Sequence, residues 1–448
     1  MSVFPRNFKK EFLHVSYGEG IYLYDAEGNR YIDGASGAVS ANIGYGNKEV
    51  AKAIYEQICK TSFAHGSIWD SEINEIAAQK ILNISPKDFS HVWFVNAGSE
   101  ATEAAIKMAH QYHLEKNNGI SEKSLVIGRE NGYHGSTLGT LGIGGNVNRR
   151  KLFMPMILDH PKIETHYCYR CPFNKEYPSC GIECAKKLEE KINRIGSKYI
   201  SAVIAEPIIG STAGAVVAPD GYWQEIRRIC DKYDVLLIAD EVMTGVGRTG
   251  KNFCVEHWDA KPDIIASAKG LAACYFPVGA TLVTKKVADV FAKGSGVFAH
   301  SHTFNGMPAA SAAVSAVMDF YVKNDLCGNA HKMGAIIETK YAKAVADCDF
   351  VGDFRGKGLM WGFEFVKDKK TKEPFASKDD VATKFRDYCI SKGFTVYPGT
   401  GMVDGINGDN IIIAPPLIIT DEQMNELFSK LLEVLSSFAD IKLAKLKR

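Results

Sequence analysis

The chain has 448 residues, a formal net charge of +1, 46% hydrophobic residues and 23% charged ones. That length carries one large domain and a smaller one, and that composition is ordinary for a globular protein. Near-neutrality removes both the basic excess of a nucleic-acid binder and the acidic excess of a disordered chain.

The opening, MSVFPRNFKKEF, lacks the apolar core of a signal peptide, and no stretch approaches the length of a membrane span. The expectation is a cytoplasmic protein with no membrane and no nucleic-acid partner. Its 11 cysteines are then reduced thiols. The basic end, LAKLKR, reads as a solvated helix terminus.

Residues 18 to 34, GEGIYLYDAEGNRYIDG, read as a hairpin around the turn AEGN. Ala51 to Cys59 has helical periodicity. From Phe63 to Pro308 strands and helices alternate. HVWFVN is a strand and SEATEAAIKMAHQYHLEK an amphipathic helix. SLVIGREN, SAVIAEP, VLLIADEV, DIIASAK and GATLVTK are further short apolar runs, with helices such as Gly221 to Tyr233 between some of them. This alternation predicts an α/β fold, a mostly parallel sheet with helices on both faces. Ala309 to Lys323 reads as a connecting helix. Past Gly328 the order is helix, the strand GLMWGFEFV, helix, FTVYPG, NIIIAPP and a final helix, which predicts a smaller α+β domain. The expected division is an N-terminal segment, 1–62, belonging to the small domain, a large domain, 63–327, and a C-terminal small domain, 328–448.

Chemistry sits at the ends of these runs. Val235 to Ala239 delivers Asp240, and Asp263 to Ala268 delivers Lys269. Either charge alone would read as a surface residue just past a strand. Two opposite charges at carboxyl ends of strands mark the crevice where open α/β sheets bind ligands. A desolvated lysine facing a carboxylate across a flat ligand is how pyridoxal phosphate is held. The lysine carries the aldehyde and the acid pairs with the pyridinium nitrogen. Asn96-Ala97-Gly98-Ser99-Glu100 lies between a strand and a helix. There Gly98 lets an anion approach the backbone, and Ser99 can cap the helix and donate its hydroxyl. Tyr133, in NGYHGST, is either ordinary packing or an aromatic that stacks on a ring, and His134 is either a supporting residue behind the site or a satisfied core histidine. Glu206 ends another apolar run. His302 to Pro308 reads only as a polar loop. Gly245 to Gly250 spells G-x-G-x-x-G, but KNFCVEHW follows with no clean helix start, which speaks against a dinucleotide site.

Together NAGSEATEAA, GYHGST, AEP, ADEVMTGVGRTG, the SAKG lysine, HTFNGMP and IIIAPPLIIT resemble the class III aminotransferases, pyridoxal-phosphate enzymes of fold type I. The resemblance runs over nearly the whole chain. It implies that Lys269 is the Schiff-base lysine and proton shuttle, and that Asp240 is the partner of the ring nitrogen. It implies that Tyr133 and Val242 sandwich the ring, that Gly98 and Ser99 hold the phosphate, and that Glu206 sits near the ring phenol. Thr303 would reach the phosphate of a neighbouring subunit, so a homodimer or dimer of dimers is implied. The implied reaction is ping-pong transfer from an ω- or β-amino donor to a 2-oxo acid, 2-oxoglutarate or pyruvate.

The chain departs from the family in four places. Met243 stands where many members have glutamine. SGAVSANIGYG offers Ala38 and Val39 where amine aminotransferases often place leucine and tryptophan, so Val39 either widens the pocket or simply packs. No arginine lies between Arg386 and Arg448, where ω-aminotransferases often carry a carboxylate clamp. A donor without a free carboxylate, such as the thioester 3-aminobutyryl-CoA, therefore joins diamines and ω-amino acids as a candidate. Finally, Cys168-x-x-Cys171 and Cys180-x-x-x-Cys184 have zinc-loop spacing. The segment also reads as a cysteine-rich surface loop, and no metal is expected. The alternatives are an epimerase or aminomutase on the same fold, a cofactor-binding protein without turnover, and a zinc-loop interaction module.

Overall fold

A computed structural model describes residues 2–438; the basic end LAKLKR lies outside the described residues. A seven-stranded sheet forms the centre. Its strands are, in spatial order, Phe89–Val95, Gly279–Thr284, Ile264–Ser267, Leu236–Asp240, Ile200–Ala205, Leu125–Arg129 and Lys162–Ile163. All pairings are parallel except those of Gly279–Thr284, which is antiparallel to both neighbours. The four central strands from Gly279–Thr284 to Ile200–Ala205 are buried along their whole length. That is why they read as continuous apolar runs and not as alternating ones. Helices Gly98–Lys116 and Tyr222–Lys232 pack on this sheet. The second buries Tyr222, Trp223, Ile226, Ile229 and Cys230, a stripe at helical spacing.

Among the described residues three smaller sheets accompany the central one, the least of them the two-stranded pair Ile208–Ile209 and Val216–Val217. Val15–Glu19, Tyr22–Asp25 and Arg30–Asp33 form an antiparallel meander, completed by Phe394–Thr395 from near the other end of the chain. Val351–Lys357, Met360–Asp368, Asp409–Ile413 and Tyr397–Thr400 form an antiparallel sheet. The run FTVYPG is therefore two strands in two sheets, parted at Val396. The final helix, Asp421–Phe438, buries Met424, Leu427, Phe428, Leu431, Val434, Leu435 and Phe438.

The glycine motif Gly245 to Gly250 is a run of turns that opens no helix. Arg248 within it is fully buried and joins three distant segments. It donates to the carbonyls of Leu359 at 3.0 Å and Pro415 at 2.6 Å, to Asn42 Oδ1 at 2.8 Å and to Ser36 Oγ at 3.2 Å. Among the described residues no helix is long and apolar enough to cross a membrane.

Candidate active site

Leu236–Asp240 and Ile264–Ser267 are adjacent and parallel, with Asp240 beside Ala266. Both chains leave the sheet at the same edge, so Asp240 and Lys269 open onto one cavity of about 400 Å³. Gly98, Ser99, Tyr133, Glu206 and Val242 line it as well. Thr303 does not: it lies exposed in the turn before helix Pro308–Lys323.

Asp240 is held on both oxygens. His134 Nδ1 donates to Oδ2 at 2.7 Å, and the Val242 N–H donates to Oδ1 at 3.1 Å. His134 and Asp240 are both buried, and among the described residues His134 Nε2 has no hydrogen-bond partner. The neighbouring acid, Glu241, points away from the cavity. It accepts the Val255 N–H at 2.8 Å and a hydroxyl hydrogen bond from Thr244, so it braces the turn.

Lys269 is walled in by protein except toward the cavity, and its φ of 46° lies in the left-handed region, a strained position for a residue with a side chain. Burial lowers its ammonium to about 8, although Asp240 and Glu206 pull the other way. Its amine is thus available near neutral pH.

Helix Gly98–Lys116 begins one residue earlier than the sequence suggests. Ala97, extended at φ −155° and ψ 165°, is the cap residue, and Ser99 makes no capping hydrogen bond. Its Oγ instead accepts the Ser136 N–H at 3.0 Å. Among the described residues the hydroxyl donates no hydrogen bond, and it stands beside the amides of the first helical turn, which have no partner within their own helix. A Cβ at Gly98 would stand 2.7 Å from Val242 Cγ1, and one at Gly135 would stand 2.6 Å from Ser99 Oγ. The two Gly-Ser pairs leave a cradle that any side chain at these glycines would fill.

Glu206 is buried, which pushes its carboxyl up from the usual range. It accepts the Tyr133 N–H at 3.3 Å and the Gly210 N–H at 3.2 Å, while Arg129 donates to its carbonyl. Met243 lines the same wall. A Cβ at Gly210 would lie 2.4 Å from its sulfur, so thioether and glycine interlock beside Glu206. Val39 does not reach the cavity; it packs with Ile412 and Ala414. Ala38 is exposed.

Sequence reasoning missed several residues of this region. Ser211 and Cys274 line the cavity. Arg149 stands at its edge, with its guanidinium 4.3 Å from the centre of the Tyr133 ring. No motif announced any of them. The four loop cysteines are free thiols around one small hollow, Cys168 exposed and the others half-buried. Among the described residues no three His, Cys, Asp or Glu side chains are arranged to hold a metal ion.

Comparison with known proteins follows this geometry. The family profile "Aminotransferase class-III" matches residues 3–435. The chain is 40% identical to an uncharacterized aminotransferase, YodT, of Bacillus subtilis, over 93% of each chain. It is 34% identical to the putrescine–pyruvate aminotransferase of Pseudomonas aeruginosa, over 93% of this chain and 88% of that one. Among solved structures, a transaminase obtained by ancestral reconstruction superposes with a TM-score of 0.92 at 31% identity, covering 98% of this chain and 97% of the other. A PLP-bound amine transaminase from an uncultivated Pseudomonas species gives 0.90 at 32% identity, with the same coverage of 98% and 97%.

Proposed function

The chain belongs to the class-III aminotransferases, and from that premise and the cavity's geometry we propose that it moves an amino group from an ω- or β-amino donor to a 2-oxo acid, 2-oxoglutarate or pyruvate, with pyridoxal phosphate as carrier. The observation that carries this reading is the pair Asp240 and Lys269, set at the ends of adjacent strands on one cavity that the start of helix Gly98–Lys116 also lines.

The residues fit the cofactor. The cradle kept open by Gly98 and Gly135 suits a phosphate, with Ser99 Oγ–H and first-turn amides as donors. Tyr133 and Val242 would take the two ring faces, Asp240 the ring nitrogen, Glu206 the side of the ring phenol, and Lys269 the aldehyde. Thr303, exposed in the single chain, would complete the phosphate site of a second copy. When bound, pyridoxal phosphate supplies an electron-accepting ring that stabilises the carbanion left when a donor loses its proton.

The chain's own residues do the rest. His134 and the Val242 amide fix the Asp240 carboxylate, so that it would meet a cationic ring nitrogen without reorganising. Lys269 Nζ, whose neutral form burial favours, would take the proton from the donor's amino-bearing carbon and move it onward.

For the donor, we take 3-aminobutyryl-CoA as the leading thioester candidate beside diamines and ω-amino acids. What supports it is the arginine-free segment 401–408 before Ala414. Relatives named for putrescine, taurine and adenosylmethionine donors support a family site open to varied amines. The deciding experiment follows loss of the lysine-bound cofactor absorbance in the donor half-reaction. A β-aminoacyl-CoA thioester is set against its free β-amino acid and against putrescine. Rapid change with the thioester alone supports the CoA reading; rapid change only with the free amines removes it. No change with any amine would end the aminotransferase proposal.

A further inference from the structure

A 2-oxo acid acceptor brings a carboxylate into the cavity, and such a group needs a cation or several donors. Most arginines around the cavity are committed elsewhere. Arg129 holds the Glu206 carbonyl and His166. Arg150 holds Asp159 and the Gly144 carbonyl, Arg355 holds Asp353 and the Ala213 carbonyl, and Arg170 holds Glu364. Arg248 lies buried under the glycine turns.

Arg149 differs. Among the described residues its one side-chain hydrogen bond is to Ser211 Oγ, at 3.4 Å. Its guanidinium lies on Tyr133, and both Tyr133 and Ser211 line the cavity. The turn that carries it is well fixed. Asn146 Oδ1 caps the short helix Val147–Arg150 by accepting the Arg149 N–H at 3.1 Å. Val147 and Asn148 pack so closely on Gly405 and Gly401 that a Cβ there would approach within 2.6 Å and 2.4 Å. The arginine-bearing turn thus seats on the very loop that has no arginine of its own. Its charge is also felt at Lys269, whose ammonium it disfavours.

We propose that Arg149 receives the carboxylate of the 2-oxo acid acceptor at the Tyr133–Ser211 edge of the cavity, a specificity role that rests on the aminotransferase reading above. A planar guanidinium already lying on an aromatic ring keeps two N–H donors free for a carboxylate fork.

The test compares wild-type, Arg149→Gln and Arg149→Lys holoenzymes, first brought to the amine-loaded form. Each is returned to the starting form by pyruvate or by the neutral acceptor propanal. The expected result is that KM for pyruvate rises about tenfold or more in Arg149→Gln, less in Arg149→Lys, while propanal kinetics change by less than about twofold. Equal losses with both acceptors, or no loss with pyruvate, overturn the assignment. Calorimetric titration with propionate, an unreactive carboxylate, reads the same contact without turnover. Affinity undiminished in Arg149→Gln overturns it even if no amine ever reacts, and that last outcome by itself would strike the aminotransferase reading.

Discussion

His134 donates its Nδ1–H to Asp240 at 2.7 Å, and both side chains are buried. The histidine thus positions the acid. Among the described residues its other nitrogen has no hydrogen-bond partner, so the bond to Asp240 is the polar contact that orients the ring. Replacing His134 with Phe keeps the bulk and removes the donor. Losing a buried hydrogen bond to a charged group costs about 1.5–3 kcal/mol, or roughly a 10–150-fold fall in kcat if all of it is felt in the transition state. The check is kcat together with the cofactor absorbance spectrum. Unchanged kcat with an unchanged spectrum would remove His134 from the machinery.

Lys269 sets a pH dependence. Its ammonium is lowered by burial to about 8, from 10.5, so the neutral amine is populated as pH rises through 8. Cofactor-free protein should therefore recapture pyridoxal phosphate faster with rising pH and level off above about 8. A rate still climbing toward 10.5 would show an ordinary solvated lysine. Lys269→Ala should show neither the lysine-bound absorbance nor measurable turnover, and borohydride reduction should label no peptide containing residue 269.

Gly98 and Val242 should behave as a coupled pair. A methyl group at Gly98 meets Val242 Cγ1 at 2.7 Å, so Gly98→Ala must push the valine into the cavity. Cofactor affinity should fall by about tenfold or more, since overpacking costs about 1–3 kcal/mol. Val242→Ala in the same chain should restore part of it, because contacting residues are not additive. Dissociation constants for pyridoxal phosphate in the four proteins of this cycle decide the matter; strict additivity would separate the two positions.

Arg248 is a test of stability. Arg248→Met leaves two carbonyls and the oxygens of Asn42 and Ser36 without their donor. The expected loss is about 1–3 kcal/mol, the cost of leaving buried acceptors unsatisfied, read from urea unfolding. A change below about 1 kcal/mol would mean that water replaces the guanidinium.

Asp240 and Lys269 were legible because each ends an apolar run, and buried parallel strands leave that trace in one dimension. Gly98 was legible for a similar reason, lying where a strand turns into a helix. Contacts across the chain leave no such trace. His134 and Asp240 are 106 residues apart, and Arg149 and Ser211 are 62 apart. Only folding brings them together. Ser99 was expected to cap its helix, and a start one residue earlier moved its hydroxyl to Ser136 instead. The strand Val351–Lys357 went unseen because Gly, Asp, Arg and Lys make half-exposed VGDFRGK a weak strand former. FTVYPG misled for a different reason. Six residues of one extended texture serve two sheets, and texture does not say where a chain changes partners.

The parallel pairing of Ile32 with Phe394 has a consequence for how the protein is made. The adjoining contact between Asp33 and Thr395 spans 362 residues. At a synthesis rate of about 5–20 residues per second, the meander waits roughly 20–70 s on the ribosome before its fourth strand is translated. For that interval the Arg30–Asp33 edge is an open β-edge, which invites pairing with another nascent chain. Its shortness and its exposed Arg30 are the sort of features that make such an edge a poor template while it waits.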